Sequence, residues 1–305
     1  LHKHVAAHPE KYYIVDSSLK PQMLRHQANT ILAAHWGDVA FRPLQFEAIE
    51  AATQKRDVLI VLATGGGKSL CFQMVGLLQK RPVVVVSPLI SLMQDQCLAL
   101  QRKGLSAVFL GSAQTDADVW RRALSGECAF VYITPELAAS AEFLSRVSAM
   151  SPCLIAIDEA HCVSEWGHDF RPEYMQLATL RQQLVGVPVM ALTATATPET
   201  RRAIVRSLAL ANPHELLGSF DRPNLAYECR TKPSTGGKRA ASRAIAAEIG
   251  AGTTIVYVPT TAEVDAITAE LCQLGHVATA YHAKLDPATR ADSHAKFVSG
   301  DARVV

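Results

Sequence analysis

Val58-Leu59-Ile60-Val61-Leu62-Ala63-Thr64-Gly65-Gly66-Gly67-Lys68-Ser69 is the stretch that decides the fold. Its first five residues are apolar without alternation, so the run reads as a strand buried on both faces, the mark of a parallel sheet covered by helices. A glycine turn follows, then a helix start. A polyphosphate needs backbone N–H groups turned inward, which small residues permit, and a helix N-terminus aimed at its charge. Gly65, Gly66 and Gly67 supply that turn, and Thr64 before them is counted with the nucleotide-binding residues. Lys68 supplies a cation for the β- and γ-phosphates, and Ser69 a hydroxyl for the accompanying metal. The usual pattern of such loops has a glycine five residues before Gly67, where this chain has Leu62. A packing turn has little use for three glycines followed by Lys-Ser, so the segment is read as a nucleotide site.

Outward from this loop the same rhythm repeats. Short apolar runs at Val83–Ser87, Ala107–Leu110, Phe130–Ile133, Leu154–Ile157 and Val187–Leu192 alternate with helical stretches such as Leu89–Gln101 and Glu199–Leu210. Alternating strand and helix is the α/β signature. The rhythm breaks at Asn212-Pro213 and at the Pro/Gly-rich, charged stretch Thr231–Arg239, read as a loop. It restarts with a strand at Thr254–Val258, a helix at Thr261–Leu274, a strand at Val277–Tyr281, a helix at Pro287–Val298 and a strand start at Arg303–Val305. The expected organisation is a lead-in over 1–35, a complete α/β domain over 36–217 and the start of a second over 218–305.

Composition bounds the class. The chain has 305 residues, 49% apolar, 19% charged and 6% aromatic, which excludes a disordered tail, collagen and a coiled coil. No apolar run approaches the roughly 18 residues of a spanning helix, so no membrane role is expected. The start, Leu1-His2-Lys3-His4, has no apolar core of a signal peptide, and Leu1 in place of Met reads as an excised piece. A net charge of +2 neither demands nor excludes nucleic acid. The seven cysteines include no close pair and read as reduced thiols of an intracellular protein.

A second motif lies about 90 residues beyond the glycine turn. Ile155-Ala156-Ile157-Asp158-Glu159-Ala160-His161 is an apolar strand ending in two carboxylates. Asp158 at the strand's end suits Mg²⁺, and Glu159 suits orientation and deprotonation of an attacking water. Alone, such a pair reads as two solvated acids; together with a phosphate loop it reads as a hydrolytic site.

Further segments resemble RecQ-family DNA helicases of superfamily 2, in the family's order. Phe41-Arg42-Pro43-Leu44-Gln45 resembles motif 0, Leu62–Ser69 motif I, Val86-Ser87-Pro88-Leu89-Ile90-Ser91-Leu92-Met93-Gln94-Asp95-Gln96 motif Ia, and Tyr132-Ile133-Thr134-Pro135-Glu136 motif Ib. The sharpest match is Asp158-Glu159-Ala160-His161-Cys162-Val163-Ser164-Glu165-Trp166-Gly167-His168-Asp169-Phe170-Arg171-Pro172-Glu173-Tyr174, which joins the family's acidic motif II to its aromatic-rich loop. Ala191-Leu192-Thr193-Ala194-Thr195-Ala196 is similar to motif III. Ser219-Phe220-Asp221-Arg222-Pro223-Asn224-Leu225 is similar to the entry to the second domain, and Ile255-Val256-Tyr257 with Tyr281-His282-Ala283 to the motif IV region. Asp38 stands where the family often has an aromatic, Glu165 where it often has Gln, and Lys284 where it often has Gly. The chain ends before motifs V and VI, the zinc module and the winged helix.

The resemblance implies two RecA-like domains, the second incomplete here, and an ATP- and Mg²⁺-dependent motor moving 3′ to 5′ on DNA. Its partners would be single-stranded and branched DNA, and its place DNA-associated, nuclear in a eukaryote. Gln45 would read an adenine edge and Arg42 cover the base. Trp166 and Phe170 would stack on bases, with Arg171 contacting phosphate, so that the loop senses single-stranded DNA. His161 is expected to bond across to Thr193 or its neighbours, relaying nucleotide state, with Thr195 beside it. Ser87, Thr134 and Tyr257 are candidate DNA contacts. Two rival readings remain at this point: an RNA-dependent ATPase or helicase of the same superfamily, and a nucleotide-sensing DNA-binding module without motor activity.

Overall fold

Alternate residues of each apolar run point to opposite faces of one sheet. Val58 and Ile60 enter one core and Leu59 the other; Val83 and Val85 join the first, Val84 and Val86 the second. The computed structural model describes residues 21–305 apart from 112, 113, 115, 165–168, 223, 230 and 232–236. Among the described residues the strands are β1 Val58–Val61, β2 Val83–Val86, β3 Ala107–Leu110, β4 Phe130–Ile133, β5 Leu154–Ile157, β6 Val189–Thr193 and β7 His214–Leu217. They form one sheet in the order β3-β4-β2-β5-β6-β1-β7, and every pairing is parallel. All residues of β1 to β6 are buried, as a sheet covered on both faces requires.

The first face is covered by helices Pro21–Trp36, Gln45–Thr53, Lys68–Gln79 and Ile90–Gln101. Helix Pro21–Trp36 lies in the stretch read as a lead-in. It packs through Leu24, Ala28 and Leu32, one stripe at four-residue spacing. Its end is fixed by Lys103, whose Nζ donates to the His35 carbonyl at 3.0 Å and lies 5.5 Å from the Trp36 ring centroid. Ala117–Leu124, Ala141–Arg146, Ala178–Gln183 and Pro198–Ser207 cover the other face, burying Ala123, Phe143, Leu180 and Ile204.

Strand β6 begins two residues later than the sequence suggests. Pro188 has no N–H to give a ladder. Pairing starts at Val189, whose own N–H donates to the Asp57 carboxylate at 2.9 Å. The polar strand β7 follows the Asn212-Pro213 break and pairs with β1, Val58 opposite His214.

The chain divides into two compact units between residues 223 and 224. In the second, helices Gly237–Glu248, Thr261–Gln273 and Pro287–Ser299 are described, so the expected loop over 231–239 gives way to helix from Gly237. The strands expected at Thr254–Val258 and Val277–Tyr281 are single parallel bridges, Thr254 and Ala278 both pairing with Val304. Hydrogen bonds confined to a few residues, such as Thr254 N–H to the Arg303 carbonyl at 2.8 Å and Thr279 N–H to the Val304 carbonyl at 2.9 Å, are too few for a ladder.

Candidate functional site

Because every strand is parallel, the residues that follow β1, β2, β4, β5 and β6 emerge at one edge of the sheet, where α/β proteins bind ligands. That edge gathers the glycine turn after β1, Ser87 after β2, Thr134 after β4, Asp158 after β5 and Thr193 at the end of β6. β5 is two strands from β1, about 10 Å at ordinary strand spacing, and the Lys68 charge reaches Asp158 across that edge.

The turn is held from beneath by Gln45. Its Oε1 accepts the Arg42 N–H at 2.8 Å, and its Nε2 donates to the carbonyls of Gly67 at 3.0 Å and Gly66 at 3.3 Å. Gly67 has φ 79°, and a Cβ there would lie 2.4 Å from that amide nitrogen. A Cβ on Gly66 would sit 2.8 Å from the Ala63 carbonyl oxygen, so a side chain is excluded at both positions. Gln45, expected at an adenine edge, is 2% exposed and has both ends of its amide committed to the turn and its approach. The guanidinium of exposed Arg42 donates to the Gly65 carbonyl. Thr64 and Gly65 are exposed and Ser69 half-buried at the start of helix Lys68–Gln79, whose N-cap Gly67 offers no capping side chain. Lys68 Nζ donates to the Leu62 carbonyl at 3.1 Å.

Opposite the turn, Asp158 is 7% exposed. Burial, and then the neighbouring Glu159 charge, push its carboxyl up to about 6, against smaller opposing pulls from the Glu159 N–H, which donates to its Oδ1 at 3.0 Å, and from Lys68. Glu159 is left-handed at φ 48°, a conformation that costs a residue with a Cβ roughly 1–2 kcal/mol. This turns the chain abruptly from β5 into the short helix Ala160–Val163 and presents Asp158 and Glu159 together at the sheet edge.

His161 is a junction. Its Nδ1 lies 2.9 Å from Thr193 Oγ1 and 3.3 Å from Glu159 Oε2, and its Nε2 lies 3.7 Å from Asp169 Oδ2. The His161–Thr193 bond is the one the sequence suggested. Thr193 Oγ1 also donates to the Thr195 carbonyl at 3.0 Å. Asp169 and Tyr174 were missed as site residues. The buried Tyr174 hydroxyl donates to the Asp158 carbonyl at 2.9 Å, and the only advance signal was that a buried tyrosine must find a partner. Half-buried Arg171 donates through Nη1 to the Pro88 carbonyl at 3.3 Å, linking the segment after Asp158 to the segment after β2. Phe170 is half-buried beside it, and Trp166 lies outside the described residues.

The other candidate contacts are placed differently from one another. Ser87 is 1% exposed and its hydroxyl has no hydrogen-bond partner among the described residues, so it does not reach a surface ligand in this conformation. Thr193 is wholly buried, which makes it a link rather than a contact. Thr134 caps helix Pro135–Ala138 through the Leu137 N–H at 3.3 Å. Thr195 is exposed at the edge, and Tyr257, in the second unit, is 90% exposed.

The residues present fit a nucleoside triphosphate and its metal. The turn leaves N–H groups at an uncapped helix start, Lys68 gives only one bond to a carbonyl, and the buried Asp158 carboxyl lies within reach of the Lys68 charge.

Comparison with known proteins agrees with this geometry. The family model described as DEAD/DEAH box helicase matches residues 42–204. The ATP-dependent DNA helicase RecQ of Haemophilus influenzae is 40% identical over 298 residues, which cover 96% of this chain and 47% of that protein. The mouse bifunctional 3′-5′ exonuclease/ATP-dependent helicase WRN is 38% identical over 302 residues, covering 95% of this chain and 21% of that one. The chain thus spans less than half the length of either relative. Among solved structures, Mycobacterium smegmatis helicase Lhr bound to ssDNA and AMP-PNP superposes with a TM-score of 0.64 at 18% identity, over 92% of this chain and 40% of that one. The DUF1998 helicase MrfA bound to DNA gives 0.66 at 15% identity, over 98% and 45%. At these identities the structures share the fold.

Proposed function

This chain belongs to the DEAD/DEAH box helicases and, within them, to the RecQ type; on that premise we propose that it is the ATP-hydrolysing core of a 3′ to 5′ DNA helicase acting in recombination and repair. The observation that carries the reading is the meeting, at one sheet edge, of a phosphate turn, a carboxylate pair and a half-buried His161–Thr193 bond. Lys68 and the N–H groups of Gly65, Gly67, Lys68 and Ser69 hold the phosphates, the Gly66 N–H being spent on the Ala63 carbonyl at 2.8 Å, while Arg42 lies over the approach to the base. Ser69 and Asp158 are the residues that would hold Mg²⁺, which when bound offsets phosphate charge. Glu159 orients the attacking water and accepts its proton. His161, bonded to Thr193 and close to Glu159 and Asp169, ties the carboxylate pair to the segment that carries Phe170 and Arg171. Trp166 and Phe170 stack on the bases of a single strand and Arg171 contacts its phosphates, so occupancy of the strand reaches Glu159 through two short links.

Two substitutions test the site. Lys68→Ala weakens ATP binding. Glu159→Gln leaves binding intact and stops turnover, because an amide keeps the shape but accepts no proton. Normal hydrolysis by Glu159→Gln would remove the assigned role. Stimulation by RNA equal to that by DNA would favour an RNA-dependent enzyme instead.

A further inference from the structure

After β7 the chain turns back over the phosphate turn. Gly218 N–H donates to the Val61 carbonyl at 2.8 Å, extending the pairing of β7 with β1 to the root of the turn. The passage is tight: a Cβ on Gly218 would lie 2.6 Å from Leu62 Cδ2 and 3.3 Å from the Val61 carbonyl oxygen. The Ser219 hydroxyl then accepts the Asp221 N–H at 3.0 Å, bending the chain. The bend delivers Arg222, whose Nη2 lies 3.9 Å from where a Cβ on Gly65 would stand.

Three cations therefore surround the turn, and they are not equivalent. Lys68 donates to the Leu62 carbonyl and Arg42 to the Gly65 carbonyl. Arg222 is half-buried and makes no hydrogen bond or ion pair among the described residues. A guanidinium withdrawn in part from water and left without a partner is costly unless an anion joins it. Beside a phosphate turn, the anion that fits its planar fork is a polyphosphate oxygen pair.

We propose that Arg222 is a phosphate-contacting residue of the nucleotide site, donating to the polyphosphate from beside Gly65. This rests on the nucleotide-site reading of the turn. It gives the segment after β7, the last described before the second unit begins, a direct bond to the ligand, so that binding of nucleotide orders that segment.

The test is equilibrium displacement of a fluorescent ATP analogue from the 305-residue chain by ATP and by inorganic tripolyphosphate, for the parent, Arg222→Ala and Arg222→Lys. Arg222→Ala is expected to weaken both competitors by about tenfold or more, the usual size of a lost hydrogen bond to a charged group. Arg222→Lys, which keeps the charge and loses the fork, is expected to fall between; it also decides the matter should the alanine variant fail to fold. Loss of ATP affinity with tripolyphosphate unchanged overturns the assignment, since the contact would then be to the nucleoside. Unchanged affinity for both overturns it as well. A parent chain that binds neither competitor overturns the nucleotide-site reading and this inference together, whereas a parent that binds both and a variant that matches it sinks this inference alone.

Discussion

His161 Nδ1 lies 2.9 Å from Thr193 Oγ1, joining the residue two positions after Glu159 to the end of the neighbouring strand β6. Both groups are withdrawn from water, Thr193 completely. Thr193→Val removes the hydroxyl and keeps the shape, so the imidazole loses one of its fixed partners. ATP affinity should stay within about twofold, while stimulation of hydrolysis by single-stranded DNA should fall by about 2- to 30-fold, equivalent to roughly 0.5–2 kcal/mol of coupling. Steady-state ATP turnover with and without DNA reads this. An unchanged stimulation ratio would remove the link.

The opposite edge of the sheet is pinned by Asp57. It is 4% exposed, and its carboxylate accepts from Arg181 Nη1 at 2.7 Å, Val189 N–H at 2.9 Å and Ala211 N–H at 2.6 Å. It thus fixes the start of β6 and the approach to β7. Asp57→Ala strands Arg181 and two N–H groups and should cost about 3–5 kcal/mol in a urea unfolding series. A loss below about 1 kcal/mol, the range of an exposed pair, would contradict the structural role.

Much of the fold was legible because burial on both faces leaves its mark in the chain. β3, β4 and β5 fall on the expected residues, since each is a continuous apolar run with polar or turn residues about it. β7 escaped: His214-Glu215-Leu216-Leu217 is an edge strand in which Leu216 alone is buried, so no apolar run announces it. Helix Pro21–Trp36 escaped because three buried residues spaced by four are a weak signal among polar neighbours. The phosphate turn and the acidic pair were legible as motifs, whereas partners were not. Nothing in the sequence says that Gln45 spends its amide on the turn's carbonyls, that Ser87 faces inward, or that Tyr174 reaches back to the Asp158 carbonyl. Such contacts depend on how separate segments pack, and only the three-dimensional arrangement supplies them.

Phe170 sits one residue from Arg171, which bonds the Pro88 carbonyl, and one from Asp169, which faces His161. Phe170→Ala should leave basal ATP hydrolysis near the parent value and weaken DNA stimulation, with single-strand affinity lowered by about 1–3 kcal/mol. Trp166→Ala should act in the same direction. A DNA titration of ATP turnover checks both, and equal stimulation in variant and parent would refute a sensing role.

The cysteines divide by environment. Cys71, Cys97, Cys128, Cys153 and Cys162 are buried, while Cys229 and Cys272 are exposed. Burial pushes the thiols of Cys71, Cys97 and Cys153 up to about 12 and that of Cys162 up to about 11, far from the thiolate that reacts. At neutral pH a thiol reagent should label Cys229 and Cys272 rapidly in the folded chain and all seven after denaturation. Rapid labelling of Cys71, on the helix that follows the phosphate turn, would mean that this helix opens readily.

The central claim is that the phosphate turn and the Asp158–Glu159 pair drive a motor answering to DNA. The most direct test is ATP turnover by a protein carrying this chain and its flanking regions, measured alone, with single-stranded DNA and with RNA, in parent and Glu159→Gln forms. The account predicts strong stimulation by DNA, little by RNA, and loss of turnover in Glu159→Gln with ATP still bound. Turnover indifferent to DNA, or persisting in Glu159→Gln, would contradict it.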